Sequence, residues 1–169
     1  MQKTLRIVRS EEDIEQRITE LASEIRDAGP RGELTVVGIL EDTFVFLADL
    51  IRALDIPVSC CFMKVTRQQH GGQTELMFTS EFDPYGRDIL LVAGIVSTGV
   101  TLEYISRQLS ARGIKSLRTC ALVDKPGERR VDIRPDFSAF QMGDGYVFGY
   151  GLGLQNQFRQ LPYLAMMDE

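Results

Sequence analysis

Residues 89–102 read ILLVAGIVSTGVTL. The first part is a continuous apolar run, as in a strand covered on both faces. TLEYISRQLSAR (101–112) follows with helical spacing. Between them stand Ser97, Thr98 and Gly99. Backbone N–H groups of such a loop, together with a helix N-terminus, can converge on one anion. Thr98 and Thr101 add hydroxyl donors, and Gly99 lets the backbone come close to a ligand. The same spacing also fits an ordinary strand-to-helix turn capped by Ser or Thr. Loops of this form commonly carry carboxylates to hold a sugar or a metal, but here Ala93, Gly94 and Ser97 occupy those places.

Working outward, the chain alternates strands and helices. Ser10 with Asp13 predicts a capped helix whose apolar face is Ile14, Ile18, Leu21, Ala22 and Ile25, stopped by Gly29-Pro30. ELTVVGIL (33–40) is a strand, TFVFLADLIRAL (43–54) a helix with Thr43 as candidate cap, and VSCCFMKV (58–65) a strand. TRQQHGGQTE (66–75) reads as a mobile polar loop, LMFTS (76–80) as a short strand and DILLVAGI (88–95) as another. Gly113 ends the helix over 101–112, and SLRTCALVDK (116–125) is a strand. After Gly127 only short apolar pieces remain. This alternation predicts βαβ units and a parallel sheet in a single α/β domain, residues 1–169. Ligands of such sheets bind beyond the carboxyl ends of the strands. That points to 40–43, 93–101 and the tail after Asp124.

The bulk numbers agree. With 169 residues and 44% hydrophobic content the chain can bury a core. A net charge of −5 gives no footprint for nucleic acid, and no apolar run is long enough to cross a membrane. The N-terminus MQKTLRIVRSEEDIEQ is neither a secretory signal nor a basic presequence, so a cytoplasmic protein is expected. Cys60, Cys61 and Cys120 have no metal-binding or disulfide spacing and are expected to be inert buried thiols. His70 has no partner spacing, and KPGERR (125–130) reads as a solvated basic turn.

Four blocks together resemble the hypoxanthine-guanine phosphoribosyltransferase family. They are FVFLADLIRALDIPV (44–58), ILLVAGIVSTGVTLEYISRQLSARG (89–113), CALVDKPGERRVDIRPDF (120–137) and YVFGYGLGLQNQFRQLPY (146–163). The resemblance implies a mainly parallel sheet flanked by helices, with a small hood built from the chain ends. It also implies transfer of ribose 5-phosphate from magnesium-bound phosphoribosyl pyrophosphate to hypoxanthine or guanine. By resemblance, Ser97, Thr98, Gly99, Val100 and Thr101 match the 5-phosphate loop, Tyr146 stacks on the purine, and Val147 meets the base edge. Arg134 stands where a lysine donates to the purine O6, and Arg159 stands near the pyrophosphate.

The positions the family uses for chemistry differ. Ala93-Gly94 replaces a Glu-Asp pair that grips the ribose. Ser97 replaces an aspartate beside the base, and Glu41-Asp42 follows Leu40 where the family has Lys-Gly. Gly153 replaces a magnesium-binding aspartate, and Arg67-Gln68 falls where the family has a Ser-Tyr pair. Serine cannot take an aspartate's part in moving a proton. Magnesium prefers carboxylate and phosphate oxygens, so no intact metal site is expected, and Mg2+ is needed only if the chain is an active transferase. Three functions remain open. The first is a catalytically impaired relative that binds a purine nucleotide or phosphate, as sensor or regulatory subunit. The second is an active purine-salvage enzyme, and the third a partner protein with a vestigial pocket. By resemblance, a homo-oligomer or a complex with an active paralogue is expected, built through about 44–65.

Overall fold

The protein is described by a computed structural model covering residues 5–29, 32–67 and 74–167. In chain order its elements are β1 (Leu5–Arg9), α1 (Glu11–Ala28), β2 (Leu34–Ile39), α2 (Phe44–Leu54), β3 (Val58–Arg67), β4 (Thr74–Phe78) and β5 (Asp88–Val96). There follow α3 (Val100–Ser110), β6 (Ser116–Asp124), a 3-10 turn (Pro126–Glu128), β7 (Phe137–Gln141), β8 (Val147–Phe148) and β9 (Leu164–Met167).

The apolar runs become the inner strands of a six-stranded sheet ordered β4-β3-β2-β5-β6-β7. Every neighbouring pair is parallel except β3 and β4. In β5 the alternation of a strand sends Leu90 and Val92 to one face and Ile89, Leu91 and Ala93 to the other. The first face packs on α1 and α2 through Ile14, Leu21, Phe46, Leu47 and Leu50. The second packs on α3 through Leu102, Ile105 and Leu109. Both faces are therefore covered, which is why no polar alternation is visible in 89–96. The expected α/β fold, a mainly parallel sheet with flanking helices, is what the chain forms. A separate antiparallel sheet, β1-β9-β8, joins the two chain ends into the hood.

Local signals explain the helix ends. Ser10 Oγ accepts from the Asp13 amide at 3.1 Å, and Asp13 accepts from the Ser10 amide at 2.9 Å, a capping box that begins α1. Thr43 does not cap α2. Its backbone is already helical rather than extended, and its hydroxyl instead donates to the Ile39 carbonyl at 2.7 Å.

The expected 66–75 loop is shorter than the sequence suggested, because Thr66 pairs with Glu75 inside a β3–β4 hairpin. Gln68, His70 and the side chain of Arg67 lie outside the described residues. Cys61 and Cys120 are buried, and burial pushes the Cys61 thiol up to about 11 and the Cys120 thiol higher still. Cys60 is exposed, contrary to expectation, since adjacent residues of β3 face opposite ways and only one side is covered there.

Candidate functional site

The carboxyl ends of β2, β5 and β6 open onto one cleft. Its first half lies between residues 39–42 and 93–102. Asp42, Ala93, Gly94, Ser97, Thr98, Gly99 and Thr101 all line it, so the structure brings together most of the expected positions. Gly99 occupies the N-cap of α3 at φ +82°, and Val100 points outward. The Val100 amide donates to Thr98 Oγ1 at 3.4 Å, while the next amides of α3 have no carbonyl one turn earlier within the helix and can meet an anion. The second half continues from Asp42, Ile95 and Ser97 to Lys125, Glu128, Tyr146 and Val147. The Tyr146 hydroxyl donates to the Gly153 carbonyl at 3.2 Å.

Two basic residues depart from the sequence-based expectation. Arg134 is exposed and lines neither half. The cation in the second half is Lys125, whose side chain is only 7% accessible and donates to Glu128 at 2.8 Å and to the Gly145 carbonyl. The segment 125–130 is therefore solvated only in part, with Pro126, Gly127 and Arg130 exposed and Lys125 buried. Arg129 folds back beneath the loop, donates to the Val96 and Ser97 carbonyls at 3.2 and 2.6 Å, and pairs with buried Asp124. Sequence alone offered no signal to separate Arg129 and Lys125 from Arg130 and Arg134.

The Gly99 Cα faces protein rather than open cleft. A Cβ there would sit 2.7 Å from Ile133 and 3.0 Å from Arg129. A side chain at 99 would thus disturb the packing of 129–133, and its effect on binding would not isolate a ligand contact.

The Glu41-Asp42 pair is ion-paired. Arg159 bonds the Asp42 carboxylate, donates to the Gly151 carbonyl at 2.7 Å, and stands 3.8 Å from Glu41, which also accepts from Lys64 at 3.2 Å. Glu41 is more than half exposed, and Asp42 is the carboxylate that lines the cleft. Gly153 lies directly under Arg159: a Cβ at 153 would be 2.6 Å from the guanidinium carbon.

Gly94 and Asp42 share one space. A Cβ on Gly94 would meet the Asp42 Cβ at 2.7 Å and its carbonyl at 2.9 Å. We expect Gly94→Ala to cost about 1–3 kcal/mol through this overlap. Asp42→Gly should relieve the Cβ part of it, leaving the Asp42 carbonyl and Leu152 Cδ2 at 2.9 Å, with a coupling between the two sites of about 0.5–3 kcal/mol. Urea unfolding of both single variants and the double variant measures that coupling, and strict additivity would show that the two residues do not meet.

Comparison with known proteins fits this geometry. The phosphoribosyl transferase domain model matches residues 7–157. Hypoxanthine-guanine phosphoribosyltransferase of Aquifex aeolicus is 37% identical over 172 residues, covering 99% of this chain and 97% of that protein. Hypoxanthine phosphoribosyltransferase of Salmonella typhimurium is 34% identical and is matched over its full length. The chain belongs to the hypoxanthine-guanine phosphoribosyltransferase family. A structure of the hypoxanthine phosphoribosyltransferase of Trypanosoma cruzi superposes with a TM-score of 0.90 at 30% identity, covering 99% of this chain and 93% of that one. That agreement extends the family's shared fold to the hood as well as the sheet.

The family's magnesium can be tested against the donors present. Gly153, Ala93, Gly94 and Ser97 offer no carboxylate, and Glu41 and Asp42 are engaged by Arg159 and Lys64. Among the described residues no group of three His, Cys, Asp or Glu side chains is placed to hold a metal ion. The residues do not fit a resident magnesium. Among the described residues no helix is long and apolar enough to cross a membrane.

Proposed function

We propose that this family member has kept the nucleotide cleft and given up efficient phosphoribosyl transfer, and that it binds a purine nucleoside monophosphate or phosphate as a sensor or as a regulatory subunit. One observation carries the reading. Asp42 fills the place a side chain at 94 would take and pairs with Arg159, so the cation expected at the pyrophosphate end is already neutralised. The phosphate end is different. The loop 97–99 and the start of α3 act through backbone amides, which substitution at 93 and 94 leaves in place. In the second half Lys125, rather than Arg134, is the cation beside Tyr146 and Val147.

Titration calorimetry tests the reading. GMP or IMP should bind without magnesium at roughly 10–1000 μM, about −7 to −4 kcal/mol. Pyrophosphate should bind less well, because it meets two carboxylates and a paired arginine. If the protein ignores GMP, IMP and phosphate at millimolar concentration, the loop is only a turn and the pocket is vestigial.

A second reading, an active transferase of purine salvage whose magnesium arrives with its substrate, is favoured by similarity to named transferases over nearly the whole chain. A steady-state assay separates the two. The regulatory role also calls for a homo-oligomer or assembly with an active paralogue. A monomeric mass by light scattering, alone and mixed with that enzyme, would count against it.

A further inference from the structure

Among the described residues Asp42 is the only ionisable residue lining the half of the cleft that contains the phosphate-type loop. It also lines the half that contains Lys125, Tyr146 and Val147. Among the described residues only Asp42, Ile95 and Ser97 belong to both halves. They therefore mark the middle of the cleft, between a loop suited to phosphate and a wall suited to a base. In a nucleoside 5′-monophosphate, the part between phosphate and base is the sugar. A ribose presents two vicinal hydroxyl donors there, and a carboxylate is an acceptor for both.

Of the three shared residues, Ile95 has no polar side chain. Ser97 has a single hydroxyl, and Asp42 carries two acceptor oxygens with about four lone-pair sites. Arg159 engages Asp42 through Oδ1, which fixes the carboxylate and leaves acceptor capacity on it. No side chain at 93 or 94 competes for this position, since Ala93 ends at a methyl group and Gly94 has none. The close approach of Asp42 to Gly94 places the Asp42 side chain against the end of β5, the strand that neighbours β2.

Resting on the nucleotide-binding reading above, we propose that Asp42 is the sugar-specificity residue of this cleft: it accepts hydrogen bonds from the ribose hydroxyls and makes the site select ribonucleotides over deoxyribonucleotides. Arg159 acts as its positioning residue. The acid that recognises the sugar thus comes from the loop after β2, not from the end of β5.

The test is a calorimetric comparison of GMP with 2′-deoxy-GMP on the unaltered protein and on Asp42→Asn, with thermal unfolding to check that the variant folds. The unaltered protein should bind GMP about 10- to 100-fold more tightly, the range expected for a hydrogen bond to a charged group. In Asp42→Asn that ratio should collapse to less than about threefold. Equal affinities in the unaltered protein, or a ratio that survives in Asp42→Asn, would overturn the assignment and leave nucleotide binding standing. Failure of the unaltered protein to bind either nucleotide removes the nucleotide reading, and this inference with it. The comparison of ligands on the unaltered chain keeps the proposal open to refutation even if the variant does not fold, since equal affinities overturn it.

Discussion

A kcat/KM below about 10⁴ M⁻¹s⁻¹ is expected for phosphoribosyl transfer to hypoxanthine or guanine, beneath the ordinary range of about 10⁴–10⁸ M⁻¹s⁻¹. A positioned acid or base contributes about 10²–10⁴-fold to a rate, and a fixed electrostatic contact commonly about 10²–10³-fold. Here Ser97 stands where the resemblance calls for an aspartate, Ala93 and Gly94 where it calls for two acids, and Gly153 where it calls for a metal ligand. Arg159 is tied to Asp42 and Gly151. Groups that act as a unit do not add, so the expected loss is at least that of one of them rather than their product. The assay needs magnesium, phosphoribosyl pyrophosphate and each base. A value within the ordinary range would return the active-transferase reading and remove the one proposed above.

Arg129→Ala should destabilise the protein by about 3–5 kcal/mol, because it leaves a buried carboxylate without its counter-ion. Asp124 is 4% exposed, and its side chain is bonded by Arg129 at the floor of the cleft. The same guanidinium also satisfies the carbonyls of Val96 and Ser97, so the loop before α3 loses two donors as well. Asp124→Asn on the Arg129→Ala background should recover part of the loss, since a neutral amide is cheaper to leave unpaired than a charge. Urea unfolding of the three proteins measures both steps. A cost under about 1 kcal/mol for Arg129→Ala would show that water or another cation reaches Asp124.

The pattern of elements was legible because it depends on short-range rules. Apolar runs of strand length flanked by helical periodicity appear wherever a parallel sheet is covered on both faces, and 34–39, 88–96 and 116–124 show this. The cap at Ser10 was legible because both of its hydrogen bonds span three residues. Thr43 was misread because its composition suits a cap, while the decisive fact was a helical backbone set by the turn after β2. The four cations of 125–134 could not be ranked from sequence. Lys125 sits at the cleft because its amide bonds the Val96 carbonyl at 2.9 Å and continues the line of β6, whereas Arg134 lies beyond the turn and is exposed.

By itself the sequence determined the α/β architecture and the small-residue loop ahead of α3, since these are statements about residue type and local period, while the acids expected at 93, 94, 97 and 153 came from resemblance to a family. Read along the chain, Asp42 and Gly94 were two separate departures from a family pattern. Only the tertiary structure made them one feature, with the side chain of one occupying the volume the other lacks and Arg159 closing over it. That relation depends on the parallel pairing of β2 with β5, which brings their carboxyl ends side by side. No local rule of sequence specifies which two distant loops will compete for the same few cubic ångströms. Close packing then forces one of them to give up its side chain.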